Sequence, residues 1–214
     1  MSPYREGEIE MEEQATALRD LGAQIATCPK CDLSKTRTHA VPGEGNPNAD
    51  MVFIGEGPGF YEDQQARPFV GAAGKFLDEL LASIGLRRED VYICNVIKCR
   101  PPNNRDPLPV EIDACTPWLD RQLEVLRPRV IVTLGRFSMQ RYFPGQTISR
   151  IHGQPRQMGD VTVVPMYHPA AALHQASLRR TIEQDFQTLP GILEQALQHT
   201  AKPREPEPTQ MQLL

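Results

Sequence analysis

Residues 51–59 read Met51-Val-Phe-Ile-Gly-Glu-Gly-Pro-Gly59, an apolar run stopped first by one glycine and then by a Gly/Pro turn. A short apolar run bounded by turn residues is the pattern of a strand buried on both faces, as in a parallel sheet. Beyond it, residues 74–84 carry Phe76, Leu77, Leu80, Leu81 and Ile84 at helical spacing, and Gly85 suits the left-handed position past a helix end. The alternation recurs. Residues 91–96 (VYICNV) predict a second strand, followed by a Pro/Asn/Arg loop and a helix over about 110–126. Residues 130–134 (VIVTL) predict a third, followed by Gly135 and a short helix to about 143; residues 161–164 (VTVV) predict a fourth, followed by a helix through 178–197. Strands alternating with helices require right-handed crossovers, so the expected fold is α/β: a three-layer α/β/α sandwich around a four-stranded parallel sheet. Ligands of such sheets lie beyond the carboxyl ends of the strands. Gly55-Glu-Gly-Pro-Gly59, Asn95 and His168 all fall there.

Around this unit, residues 8–26 predict an amphipathic helix with Ile9, Leu18, Leu21 and Ile25 on its apolar face, ending at Cys28-Pro29. Residues 201–214 hold three prolines and few apolar groups and predict a disordered tail, leaving 1–200 as one domain. A chain of 214 residues, 40% hydrophobic, can bury a full core. No apolar run reaches membrane-spanning length, and the start has neither a basic nor an apolar signal segment, so a cytoplasmic monomer with no membrane partner is expected. The net charge of −4 argues against a nucleic-acid partner until it is located: residues 1–20 hold six acids against Arg5 and Arg19, and the rest of the chain sums to zero. Lys98, Arg100 and Arg105 follow one another with no acid between them, whereas Arg179 and Arg180 read as ordinary solvated charges.

Several segments carry chemistry. Gly55, Gly57 and Gly59 allow a backbone to approach a ligand, although a plain structural turn explains them equally well. Phe69, in Arg67-Pro-Phe-Val-Gly71, is an aromatic in a loop and available for stacking. Asn95 at a strand end offers donors and an acceptor, and the basic loop after it can hold phosphates. His168, in His-Pro-Ala-Ala, can donate to a leaving group, with Leu173 as an apolar wedge beside it. Five cysteines, an odd number, disfavour a disulfide framework. Cys28, Cys31, Cys99 and Cys115 make a four-thiolate set for zinc or an iron-sulfur cluster, between which spacing does not choose. Cys94 reads as a buried inert thiol, His39 and His199 as surface residues, and Trp118 as packing.

Taken together, Cys-x2-Cys, Gly-Glu-Gly-Pro-Gly with Glu62-Asp63, Arg-Pro-Phe-Val-Gly, Asn-Val-Ile-Lys-Cys-Arg-Pro-Pro and His-Pro-Ala-Ala resemble the family 4 uracil-DNA glycosylases over about residues 28–186. The resemblance implies excision of uracil from single- or double-stranded DNA and a 4Fe-4S cluster, in preference to zinc, on Cys28, Cys31, Cys99 and Cys115. By the same resemblance Phe69 stacks on the extruded base, Asn95 pairs with its edge and His168 bonds its O2. Glu56 sits beside the attacking water and Glu62 excludes the thymine methyl, while Gly55 and Gly57 line the pocket. Lys98, Arg100, Arg105 and Leu173 meet the DNA. Ala66 and His174 depart from the residues common at those places, glycine and arginine. Two alternatives stand beside this reading: a relative that binds uracil-DNA tightly, or covalently through His152, without turnover, and a zinc-binding regulatory or scaffold protein without catalysis.

Overall fold

A computed structural model describes residues 3–201. Six strands form one sheet: β1 (Glu44–Gly45), β2 (Met51–Gly55), β3 (Tyr92–Asn95), β4 (Val130–Leu134), β5 (Arg156–Met158) and β6 (Val161–Met166). Their spatial order is β1-β3-β2-β4-β6-β5. The central four are mutually parallel and are the four expected strands; β1 and β5 add antiparallel edges at either side. The sheet is therefore mixed rather than purely parallel. The two edge strands escaped the sequence reading because they are short and solvent-facing, with no apolar run to mark them.

Nine helices are described: α1 (Pro3–Ala26), α2 (Phe60–Gln65), α3 (Ala72–Ser83), α4 (Pro109–Leu126), α5 (Arg136–Gln140), α6 (Ile148–Ile151), α7 (Ala170–His174), α8 (Ala176–Gln187) and α9 (Leu189–Ala201). The single helix expected after the last strand is thus α8 and α9, broken at Thr188. The N-terminal helix starts before residue 8, and both the Ile9 side chain and the expected tail past Ala201 lie outside the described residues.

Strand side chains alternate between faces, and the core divides accordingly. Val52, Ile54, Cys94 and Ile131 pack with Leu18, Leu21 and Ile25 of α1 and Trp118 and Leu119 of α4. Met51, Phe53, Ile93, Val132 and Val164 pack with Phe76, Leu77 and Leu80 of α3 and with Ile182, Phe186 and Ile192 of α8 and α9. Cys94 is fully buried in this core, and no described helix is long and apolar enough to cross a membrane. The carboxyl ends of β2, β3 and β6 are left uncovered between the two helical layers, and the cleft opens there.

Candidate active site

A cleft of about 390 Å³ is lined by Glu56, Gly57, Glu62, Phe69, Asn95 and His168, with residues 101–107 and α7 forming its outer walls. Three distant parts of the chain meet in it because each directly follows a parallel strand.

Phe69 is 6% exposed and holds a left-handed backbone, φ 53°, which is uncommon for a bulky residue. The surroundings fix it there. Glu62 Oε1 accepts from the amides of Val70 and Gly71 at 2.9 and 3.0 Å, and Oε2 accepts from Gly59 at 3.1 Å. Arg88 donates to the carbonyls of Phe69 and Pro68 at 3.1 and 2.5 Å. Arg88 is in turn held by Glu44 of β1 at 2.7 Å. Two glycines make room: a Cβ on Gly74 would stand 1.8 Å from the Phe69 carbonyl oxygen, and one on Gly55 would stand 2.7 Å from the ring. The ring lies flat beside His168, centroids 5.4 Å apart and planes 23° apart. Glu62, which the resemblance gave the task of excluding the thymine methyl, also wires the loop that carries the aromatic.

Asn95 is 2% exposed and pairs with Gly55 across β3 and β2. Its side-chain Oδ1 has no hydrogen-bond partner, although almost every buried polar atom finds one. A Cβ on Gly55 would lie 2.3 Å from that oxygen, so glycine is required for the amide to stand where it does. The Asn95 main-chain carbonyl accepts from Lys98 Nζ at 2.8 Å. Lys98 is consequently 1% exposed, and the expectation that it holds DNA phosphate is corrected: its ammonium faces inward and braces the strand end.

In the cleft wall, His168 Nδ1 accepts the amide N–H of Ala170 at 3.1 Å. With that nitrogen accepting, the ring proton sits on Nε2. Burial lowers the pKa to about 4 against a weaker opposing pull from Glu62, so the ring is neutral near pH 7 and Nε2–H is a donor. Glu56 lies across the cleft at the start of α5, where its Oε1 accepts from Phe137 N–H at 3.4 Å. Burial pushes its carboxyl above the usual value, and the amides of Phe137 and Arg136 oppose this. Gly135, φ 94°, gives it space.

The family model of the uracil DNA glycosylase superfamily matches residues 42–188. A type-4 uracil-DNA glycosylase of Archaeoglobus fulgidus is 53% identical over 182 residues, 81% of this chain and 92% of that protein. One of Thermotoga maritima is 46% identical over 169 residues, 77% of this chain and 88% of that protein. The chain belongs to the type-4 uracil-DNA glycosylase family. A type-5 uracil-DNA glycosylase of Pyrobaculum aerophilum is more distant, 32% identical over 174 residues, covering 73% of this chain and 74% of that protein.

The outer wall of this glycosylase's cleft is polar. Arg105 reaches it but is bound to Glu111 at 2.6 and 2.9 Å, which cancels much of the charge seen in the sequence. Arg100 donates to Asn104 Oδ1 at 2.7 Å. Asp106, paired with Arg136, faces the cleft as well, an acid that no motif marked. Leu173 on α7 is 50% exposed beside the cleft residues Ala170 and His174. His152, the residue behind the trapping alternative, donates from Nδ1 to Asp185 at 2.8 Å and packs on Tyr167, away from the cleft wall. Arg179 is engaged by Glu79 and Glu183.

Cys28, Cys31, Cys99 and Cys115 line one recess between the end of α1, the 98–99 loop and α4. N–H groups point at three of the four sulfurs: Trp118 Nε1 at Cys28 (3.2 Å), Arg37 at Cys99 (3.0 Å) and the Lys98 amide at Cys115 (3.2 Å). Trp118, read as packing, is thus also a donor to a cysteine. Among the described residues no three His, Cys, Asp or Glu side chains gather as tightly as a single metal ion requires.

Proposed function

We propose that the cleft receives one uracil extruded from DNA and that the protein hydrolyses its bond to the sugar, leaving an abasic site. The observation that carries this reading is the unpartnered Asn95 Oδ1 in the cleft that the Phe69 ring and the His168 imidazole also line. A buried acceptor left unpaired costs about 1–3 kcal/mol, and a ligand N–H relieves that cost. Uracil offers N3–H to the amide oxygen and O4 to the amide nitrogen, whereas cytosine presents the reverse pattern and meets like against like. Phe69 supplies the stacking face.

When the C1′–N1 bond breaks, its electron pair leaves with the base, and charge spreads onto O2 and O4. A neutral His168 donating Nε2–H to O2 stabilises that anion without first having to lose a proton. The sugar becomes cationic, and water adds its oxygen to C1′. The proton it loses has an acceptor at hand in Glu56, whose raised pKa suits that exchange. The departing uracil takes up its proton from solvent. The orientation of His152 supports turnover over covalent trapping.

For the recess, the reading is a 4Fe-4S cluster on Cys28, Cys31, Cys99 and Cys115. Four thiols around one space, three of them with N–H donors, suit a thiolate cluster, whose sulfurs take such hydrogen bonds. Bound there, the cluster supplies a four-point cross-link joining α1, the loop after β3 and α4.

Incubating the protein with uracil-containing DNA, then cleaving with alkali, tests the function. Strand scission at uracil only, with free uracil released, is the expected result. Asn95→Ala is expected to lower uracil excision at least tenfold while leaving the melting temperature within a few degrees. Intact DNA after treatment with the wild-type protein would remove the assignment.

A further inference from the structure

Two aromatic side chains at the start of α2 take no part in the site described above. Phe60 is 49% and Tyr61 60% exposed, yet their neighbours Gly59 and Glu62 line the cleft. The rings meet edge to face with centroids 5.5 Å apart, and the Arg100 guanidinium lies over Phe60 at 5.1 Å. Arg100 donates to Asn104, which lines the same cleft. Tyr61 in turn closes over Gly71, Cδ2 lying 3.6 Å from where a Cβ would stand. The aromatic pair and its cation therefore contact one another, face solvent and adjoin residues that line the cleft. An exposed aromatic pair with a guanidinium over one ring is suited to one class of partner, a nucleotide, whose base stacks on the exposed π surface and whose phosphate meets the cation.

We propose that Phe60 and Tyr61, together with Arg100, form a stacking platform for the base adjoining the extruded uracil in single-stranded DNA. The proposal rests on the reading of the cleft as a uracil pocket. In a duplex the neighbouring base is already stacked and paired; in a single strand it is free to lie on the rings. Stacking carries no hydrogen-bond code, so the platform tolerates any neighbouring base.

The test is a coupling measurement on the iron-loaded protein. Single strands carrying a cleavage-resistant 2′-fluorinated uridine are made with both neighbours intact, or with the 5′ or the 3′ neighbour replaced by a base-less spacer. In the wild-type protein, removing the platform-bound base should weaken binding about 5- to 150-fold, the range for one stacked base. The Phe60→Ala, Tyr61→Ala double variant should weaken binding of the intact strand by a similar factor and then be indifferent to the spacer on that side. Phe60→Trp should restore the sensitivity. Coupling on either flank supports the platform and fixes strand polarity. Factors that multiply independently on both flanks overturn it, leaving the pair for another partner such as a protein. Cleavage of ordinary uracil DNA by the same preparation keeps the two readings apart: cleavage without coupling sinks the platform alone, and no cleavage sinks both.

Discussion

A histidine that carries out electrostatic work in a hydrolytic site must hold its proton on a defined nitrogen across the working pH range. Accepting the Ala170 amide places that proton on Nε2 of His168, and burial holds the pKa at about 4. The rate should therefore show no inflection near 6.5 attributable to this ring; titration of its NMR signals would locate the transition near 4. Stability follows the same group. The folded pKa lies below the ordinary value of 6.5, so between those two values the unfolded chain binds a proton that the native protein refuses. The stabilisation is complete above about pH 6.5 and is lost as pH falls towards 4. His168→Ala should lower single-turnover excision about 10²- to 10³-fold, the usual cost of one such donor, with a much smaller loss of DNA affinity. A drop of equal size in both would reassign the ring to binding. Lys98 teaches the opposite lesson about reading single residues. Its charge looked like phosphate-binding surface because the carbonyl it braces is invisible in a linear sequence.

The loop from β2 to α3 is the element on which the site depends. Its conformation places Phe69 in left-handed space, held by Glu62 from inside and by Arg88, which lies in the turn before β3 and pairs with Glu44 of β1. Gly74→Ala sets a methyl group where only 1.8 Å separates it from the Phe69 carbonyl oxygen, so the loop must shift. That substitution should cost about 1–3 kcal/mol of stability, the range for overpacking, and reduce excision together with it. Arg88→Lys is the finer probe. It keeps the pairing charge with Glu44 but loses the fork that reaches both carbonyls, so it should raise KM for uracil-DNA several-fold while the melting temperature stays within a few degrees. Unchanged kinetics would show that Glu62 alone sets the loop. The four parallel strands and the helices α3 and α4 were legible in the sequence because apolar runs and helical periodicity report burial directly. The strand ends Gly55 and Asn95 followed from them, since ligand sites lie at strand carboxyl ends. What was not legible involves backbone partners and exposed edges: the Glu62 clamp, the Glu56 contact with α5, the edge strands β1 and β5, and the Glu111 carboxylate that takes up Arg105.

At the scale of the whole molecule, the cleft and the cysteine recess are joined by strand β3 and its loop, in which Asn95 and Ile97 line the first and Lys98 and Cys99 the second. Asn95 closes the strand at the cleft, Lys98 turns back to brace it, and Cys99 enters the recess within four residues. A cluster bound there would hold the loop that sets the outer wall of the cleft, including Arg100 and Asn104. Trp118 makes this measurable, because it is the only tryptophan of the chain and its indole N–H lies 3.2 Å from Cys28 Sγ. If the recess takes a cluster, the Trp118 emission should be quenched in protein reconstituted with iron and sulfide and should rise as a chelator bleaches the visible absorption. Over the same course the melting temperature should fall, since metal binding and folding are linked, and affinity for uracil-DNA should weaken. Cys99→Ser should reproduce all three changes. Tryptophan emission that stays constant through complete bleaching would mean that the iron is bound elsewhere, and the mechanical link between the recess and the cleft would then have to be dropped.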